Sequence, residues 1–125
     1  MEMKLELVTV PVADVDRAKA FYVDKVGFTA DHDHRVSDEL RFVQLTPPGS
    51  ACSIVLGGPQ AGIGDMPPGS QRGLQVVVAD VEQARDALVA NGVECTEIDD
   101  MAWGRFTFFA DPDGNAWSVQ EIQSR

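Results

Sequence analysis

The segment Val12-Ala13-Asp14-Val15-Asp16-Arg17-Ala18-Lys19 recurs as Val78-Ala79-Asp80-Val81-Glu82-Gln83-Ala84-Arg85, 66 residues further along the chain. A repeat of this kind is one supersecondary unit used twice, and it constrains the architecture more than any single residue does. In both copies a β-branched run (residues 5–12 and 74–78) ends at an aspartate whose carboxylate can accept the first free N–H groups of a helix. Asp14 and Asp80 are therefore read as N-caps, and Gln83 sits where a capping-box partner reaches back. Val15, Ala18, Phe21 and Tyr22 recur at helical spacing, as do Val81, Ala84, Ala87 and Leu88, so each helix has one apolar face. Gly27 and Gly92 then supply residues that take the left-handed conformation closing a helix end.

Three strand-like runs follow each helix: residues 28–35, 40–46 and 51–56 in the first copy, 93–98, 105–110 and 116–122 in the second. Pro47-Pro48-Gly49-Ser50 and Asp111-Pro112-Asp113-Gly114-Asn115 occupy equivalent places, and both are rich in residues that favour tight turns. The pattern is βαβββ twice, an α+β class chain. A single domain over residues 1–125 is expected, with halves at about 4–57 and 72–123 joined by a Gly/Pro-rich loop over 58–71 that suits neither helix nor ladder.

With 44% hydrophobic and 24% charged residues, the 125-residue chain has the composition of an ordinary globular domain. Its net charge of −10 repels polyanions, which argues against nucleic acid and anionic bilayers as partners. No apolar stretch is long enough for a membrane span, and Met1-Glu2-Met3-Lys4 lacks the basic start of an export signal, so a cytoplasmic location is expected. Cys52 and Cys95 are read as free, packed thiols.

The duplicated unit, the Val-Ala-Asp-Val lead into the first helix with Ala18, Phe21 and Tyr22 after it, and the Asp-Pro-Asp-Gly-Asn turn before the last strand together resemble the vicinal oxygen chelate superfamily. That superfamily includes glyoxalase I, extradiol dioxygenases, and fosfomycin and bleomycin resistance proteins. The resemblance covers residues 5–122 and implies an eight-stranded mixed sheet that curls into an open trough. Its enzymes hold a divalent metal with side chains on four strands facing that trough. At the corresponding positions this sequence has Leu7, Val55, Leu74 and Ser118. A dication beside these groups would lose hydration without gaining donors, so no metal and no cofactor are expected.

The trough is expected to be lined by the neutral hydrogen-bonding groups of Thr9, Ser53, Ser118 and Gln120, with Trp103, Arg105, Thr107 and Phe109 sharing a face of the seventh strand. Trp103 and Arg105 there would stack on and orient a flat ligand, or, on an equal reading, Trp103 plugs a barrel edge and Arg105 pairs with a nearby carboxylate. Trp117 alternates with Ser118 and is expected under a helix instead. His32 and His34 would share a strand face, but no third ligand is placed by the sequence, and a solvated strand end is the simpler reading. Neither serine has a histidine or acid placed beside it, so no catalytic residue is assigned.

Two functions fit. The first is a metal-independent small-molecule-binding protein of the bleomycin resistance type, sequestering an aromatic or cationic compound. The alternative is an enzyme of the same superfamily (lyase, isomerase or dioxygenase-like) with a non-standard, metal-free site. The resemblance also implies a homodimer, because open troughs of this family close across a two-fold axis.

Overall fold

The computed structural model describes residues 1–38, 40–57 and 66–122. Strand β1 (Leu7–Pro11) leads into helix α1 (Val15–Ala20), followed by β2 (Thr29–Arg35), β3 (Arg41–Thr46) and β4 (Ser53–Gly57). Strand β5 (Leu74–Val78) leads into α2 (Val81–Ala90), followed by β6 (Asp99–Met101), β7 (Gly104–Ala110) and β8 (Ala116–Glu121). The eight strands form two four-stranded sheets with the same order, β1-β4-β3-β2 and β5-β8-β7-β6. In each the opening strand runs parallel to the last, and the other pairs are antiparallel. No described helix is long and apolar enough to cross a membrane.

Both caps form as the repeat predicts: Asp14 accepts from the Arg17 N–H and Asp80 from the Gln83 N–H, each at 3.1 Å. The first helix departs from the expectation beyond Ala20, where it widens into a π-helical segment, Phe21–Val26, before Gly27 closes it at a φ of 96°. The wider turn carries the adjacent rings of Phe21 and Tyr22 into the core together. The strand expected at 93–98 is also absent, and the ladder beside β7 begins only at Asp99. Thr96 is the cause. Its backbone N–H donates to the Phe108 carbonyl, but its hydroxyl takes the Phe108 N–H, so a side chain replaces a rung of the ladder.

The registers sort each strand into two faces, because residues directly opposite one another point the same way. Val10 lies beside Leu56, which lies beside Val43, and all three are buried on the helical side of the first sheet. In the second sheet Leu74 lies beside Trp117, which lies beside Phe109. These faces, with Phe21, Tyr22 and Leu88 from the helical segments, form one core shared by both halves.

The Asp-Pro-Asp-Gly-Asn turn ties that core together. Asp111 Oδ2 accepts from the Tyr22 hydroxyl and from Asn115 Nδ2, both at 2.7 Å, while Oδ1 accepts the N–H groups of Asp113 and Asn115 at 2.9 Å. Tyr22 in turn accepts from Trp117 Nε1 at 2.9 Å. Burial and the adjacent Asp111 carboxylate push the Tyr22 phenol far above its ordinary pKa, so it remains a donor. Asn115 Nδ2 also reaches the Pro11 carbonyl at 2.8 Å, and Asp113 Oδ1 accepts from the Ala13 N–H and Arg17 Nη2 at 3.2 and 3.1 Å. Gly69 passes so close that a Cβ on it would meet the Asp113 carbonyl oxygen, and its φ of +82° suits glycine.

Asp111→Ala is expected to cost roughly 2–4 kcal/mol, since it strips a buried tyrosine and two backbone donors of their acceptor. Tyr22→Phe should cost about 1–2 kcal/mol. Urea denaturation measures both, and a loss within error of zero for Asp111→Ala would show that the turn is not the tie.

A second link runs along the helical side of the first sheet, where Asp33 accepts from Arg41 (2.8 and 2.9 Å) and Lys19 (2.8 Å). Hydrogen bonds from Arg41, then Lys19, hold the Asp33 carboxyl well below the usual range. A depressed folded-state pKa gives stability that is present above the unfolded value of about 4 and is lost as pH falls through the folded value. Asp33→Asn should therefore lower the melting temperature at neutral pH, with the gap to wild type narrowing as the solution is acidified below pH ~4. A gap that stays constant with pH would contradict the linkage.

Candidate functional site

Each sheet has a second face, turned away from the helices. On the first sheet Leu7 is opposite Ser53 and Thr9 opposite Val55, with Gln44 beyond them on β3 and His32 and His34 at the edge on β2. On the second sheet Gln75 is opposite Ser118 and Val77 opposite Gln120, with Phe106 and Phe108 beyond them on β7. Leu7, Val77 and Phe108 are exposed there, at 37%, 58% and 36%.

A chain of neutral hydrogen bonds crosses the open face of the second sheet. Ser118 Oγ donates to Gln75 Oε1 (3.1 Å), Gln75 Nε2 to Gln120 Oε1 (2.5 Å), and Gln120 Nε2 to the Trp103 carbonyl (3.1 Å). Gly104 leaves room for this last amide, since a Cβ would lie 2.7 Å from Gln120 Nε2. Beside the chain, the rings of Phe106 and Phe108 are stacked, with centroids 6.0 Å apart and planes within 6° of parallel. A cavity of about 510 Å³ opens at this end of the sheet between Phe108, Ser118, Thr96, Cys95, Glu94 and Arg72. Burial pushes the Cys95 thiol up, which leaves it a poor nucleophile in spite of its place in the cavity.

The eight expected ligand-binding residues do not share one surface. Thr9 and Ser53 lie on the open face of the first sheet, and Ser118 and Gln120 on that of the second. Arg105, Thr107 and Phe109 lie on the helical side, because β7 pairs with β8 so that they oppose Glu121, Val119 and Trp117. There Arg105 pairs with Asp100 at 2.6 Å and with Glu82 of α2 at 3.0 Å, Thr107 is buried, and Phe109 stacks on Trp117 with centroids 5.9 Å apart. Trp103 sits in the β6–β7 turn and is 65% exposed. Trp117 is in the core, as the alternation along β8 implies. Gln75, Phe106 and Phe108 join the site only through the pairing registers, β5–β8 for Gln75 and β7–β8 for the two phenylalanines, which the sequence alone does not supply.

The same registers place the four metal-ligand positions. Leu7, Val55 and Ser118 are on open faces, whereas Leu74 packs beside Trp117 in the core. Gln75 holds the open-face place next to it. These side chains are not a donor set for a divalent ion, and no group of three or more His, Cys, Asp or Glu with that geometry occurs among the described residues. His32 and His34 stack with centroids 5.6 Å apart on the edge strand. On the first sheet Ser53 Oγ lies 2.6 Å from Thr46 Oγ1, which itself donates to Asp31, so an acid does reach Ser53 through one hydroxyl.

Residues 4–119 match the Glyoxalase/Bleomycin resistance protein/Dioxygenase superfamily. The chain is 32% identical to the uncharacterized protein YetH of Bacillus subtilis (strain 168), over 97% of this chain and 100% of that one. It is similar in structure to TnmS3, an antibiotic binding protein from Streptomyces sp. CB03234, with 35% identity, a TM-score of 0.85 and 98% of each chain covered. A superfamily member from Sphaerobacter thermophilus DSM 20745 gives 32% identity and a TM-score of 0.84 over 96% of this chain and 98% of that one.

Proposed function

The chain belongs to the Glyoxalase/Bleomycin resistance protein/Dioxygenase superfamily, and from that premise we propose that it is a metal-independent protein that binds and sequesters a small aromatic or cationic compound. The observation that carries this reading is the open face of the second sheet, where the exposed Phe108 ring, backed by the buried and parallel Phe106 ring, lies beside the neutral chain of Ser118, Gln75 and the buried Gln120. Such a surface stacks a flat ligand and satisfies its polar groups without supplying a base, an acid or a metal ligand. The 35% identity to an antibiotic binding protein supports the same reading. Thr9 and Ser53 on the first open face complete the site in a homodimer, in which a partner sheet covers the exposed Leu7, Val77 and Phe108.

A flat aromatic compound should quench tryptophan fluorescence through Trp103 at the rim, and Phe108→Ala should weaken its binding by about 1 to 3 kcal/mol. Chelator should change neither affinity nor melting temperature. A cationic ligand should bind more weakly as salt rises, because the field of a net charge of −10 is screened over about 10 Å at 0.1 M. Unchanged affinity in Phe108→Ala would move the site off this face, and stoichiometric metal by elemental analysis would end the metal-independent reading.

Light scattering at high micromolar concentration is expected to give twice the chain mass. A clean monomer would remove the two-sheet site.

The alternative, a superfamily enzyme with a metal-free site, draws on one observation, the hydroxyl bridge from Ser53 through Thr46 to Asp31. Turnover of a bound compound that is lost in Ser53→Ala would favour it.

A further inference from the structure

A cavity of about 300 Å³ lies on the other side of the second sheet, between α2, the core faces of β5 and β8, and Val26, Phe28 and Pro47 of the first half. It is distinct from the open face: Trp117 and Val119 turn toward it, whereas Ser118 and Gln120 on the same strand turn away. The duplication explains why space is left here. Ala87 and Leu88 stand 66 residues after Phe21 and Tyr22, and in the first half those two aromatic rings fill the core. In the second half alanine replaces phenylalanine at the equivalent helix position, so α2 lines the cavity with Ala84 and Ala87. The lining is almost wholly apolar, and a cavity of about 150 Å³ lined by apolar side chains is already enough to take up benzene.

We propose that this cavity is a second binding site, taking an uncharged aromatic ring. Its walls set that chemistry. Phe109 and Trp117 present stacked rings only 2° from parallel, and Val76 and Val78 close the side formed by β5. No acidic residue lines it, so a cation finds no partner. Lys25 and Asn91 are the polar residues at its border, and both are engaged in the joint between the halves. Asn91 Nδ2 donates to the Lys25 carbonyl at 3.1 Å, and Lys25 Nζ lies against Gly92, 3.9 Å from where its Cβ would be. That position is the C-terminal end of α2, which has no basic residue in its own last turn, and the carbonyls there attract the ammonium and repel an anion. An uncharged ring is what remains compatible with the lining.

The test uses iodobenzene as the probe. The native protein should show a saturable rise in melting temperature with iodobenzene, since a ligand held only by the folded state stabilises it. Crystals soaked in the probe should show the anomalous signal of iodine between α2 and β8. Ala87→Phe, which installs the residue the first half carries, should abolish the shift. Iodine found only on the open sheet faces, or nowhere, would overturn the proposal, as would a full thermal shift in a folded Ala87→Phe variant. If overpacking prevents that variant from folding, the position of iodine in the native crystal decides the matter.

Discussion

The buried carboxylate of Asp111 is the point on which the two halves depend for their relative placement. It accepts from a side chain of the first half, Tyr22, and from the backbone of its own turn, and Tyr22 passes the connection on to Trp117. The Tyr22, Asn115 and Trp117 donors are buried, so moving either half would leave several polar groups unpaired in an apolar core. The turn around Asp111 extends the tie, with Asn115 on the end of β1 and Asp113 on the entrance to α1. The open faces can be bare because the opposite faces are committed to this joint core.

The repeat, the caps and the succession of elements along the chain were legible because they rest on local rules: an aspartate that accepts helix N–H groups, apolar residues at helical spacing, and turn residues between strands. The π-helical widening at Phe21 was not legible, since a tertiary demand for two adjacent buried rings decides it. Nor was the loss of ladder at 93–98, which follows from the hydroxyl of Thr96 finding the Phe108 N–H. Asp-Pro-Asp-Gly-Asn was readable as a turn but not as a joint, because nothing in five residues says that Tyr22, 89 positions away, will donate to the first of them.

The candidate site was half legible for a related reason. Alternation sorts the residues of one strand into two sets but does not say which set of a neighbouring strand lies on the same side. Ser118 and Gln120 were correctly grouped with each other, and so were Arg105, Thr107 and Phe109, yet the β7–β8 register puts the two groups on opposite faces. The same register brings forward Phe106 and Phe108, which alternation alone left unmarked. A surface built from two phenylalanines, two glutamines and a serine carries no chemical signature in sequence, whereas a histidine and a glutamate at set positions would have.

The joint between the halves is lopsided in spite of the duplication. The second half contributes Asp111, Asn115 and Asp113 to it, and the equivalent turn of the first half is Pro47-Pro48-Gly49-Ser50, which has no carboxylate to return the connection. The halves thus behave as plug and socket, and neither could pair productively with a second copy of itself through the same contacts. A chain cut between them yields two fragments that lack a complete core separately but carry complementary surfaces. Such fragments are suited to reassemble in trans, which makes this fold a natural candidate for a split reporter whose reconstitution is directional.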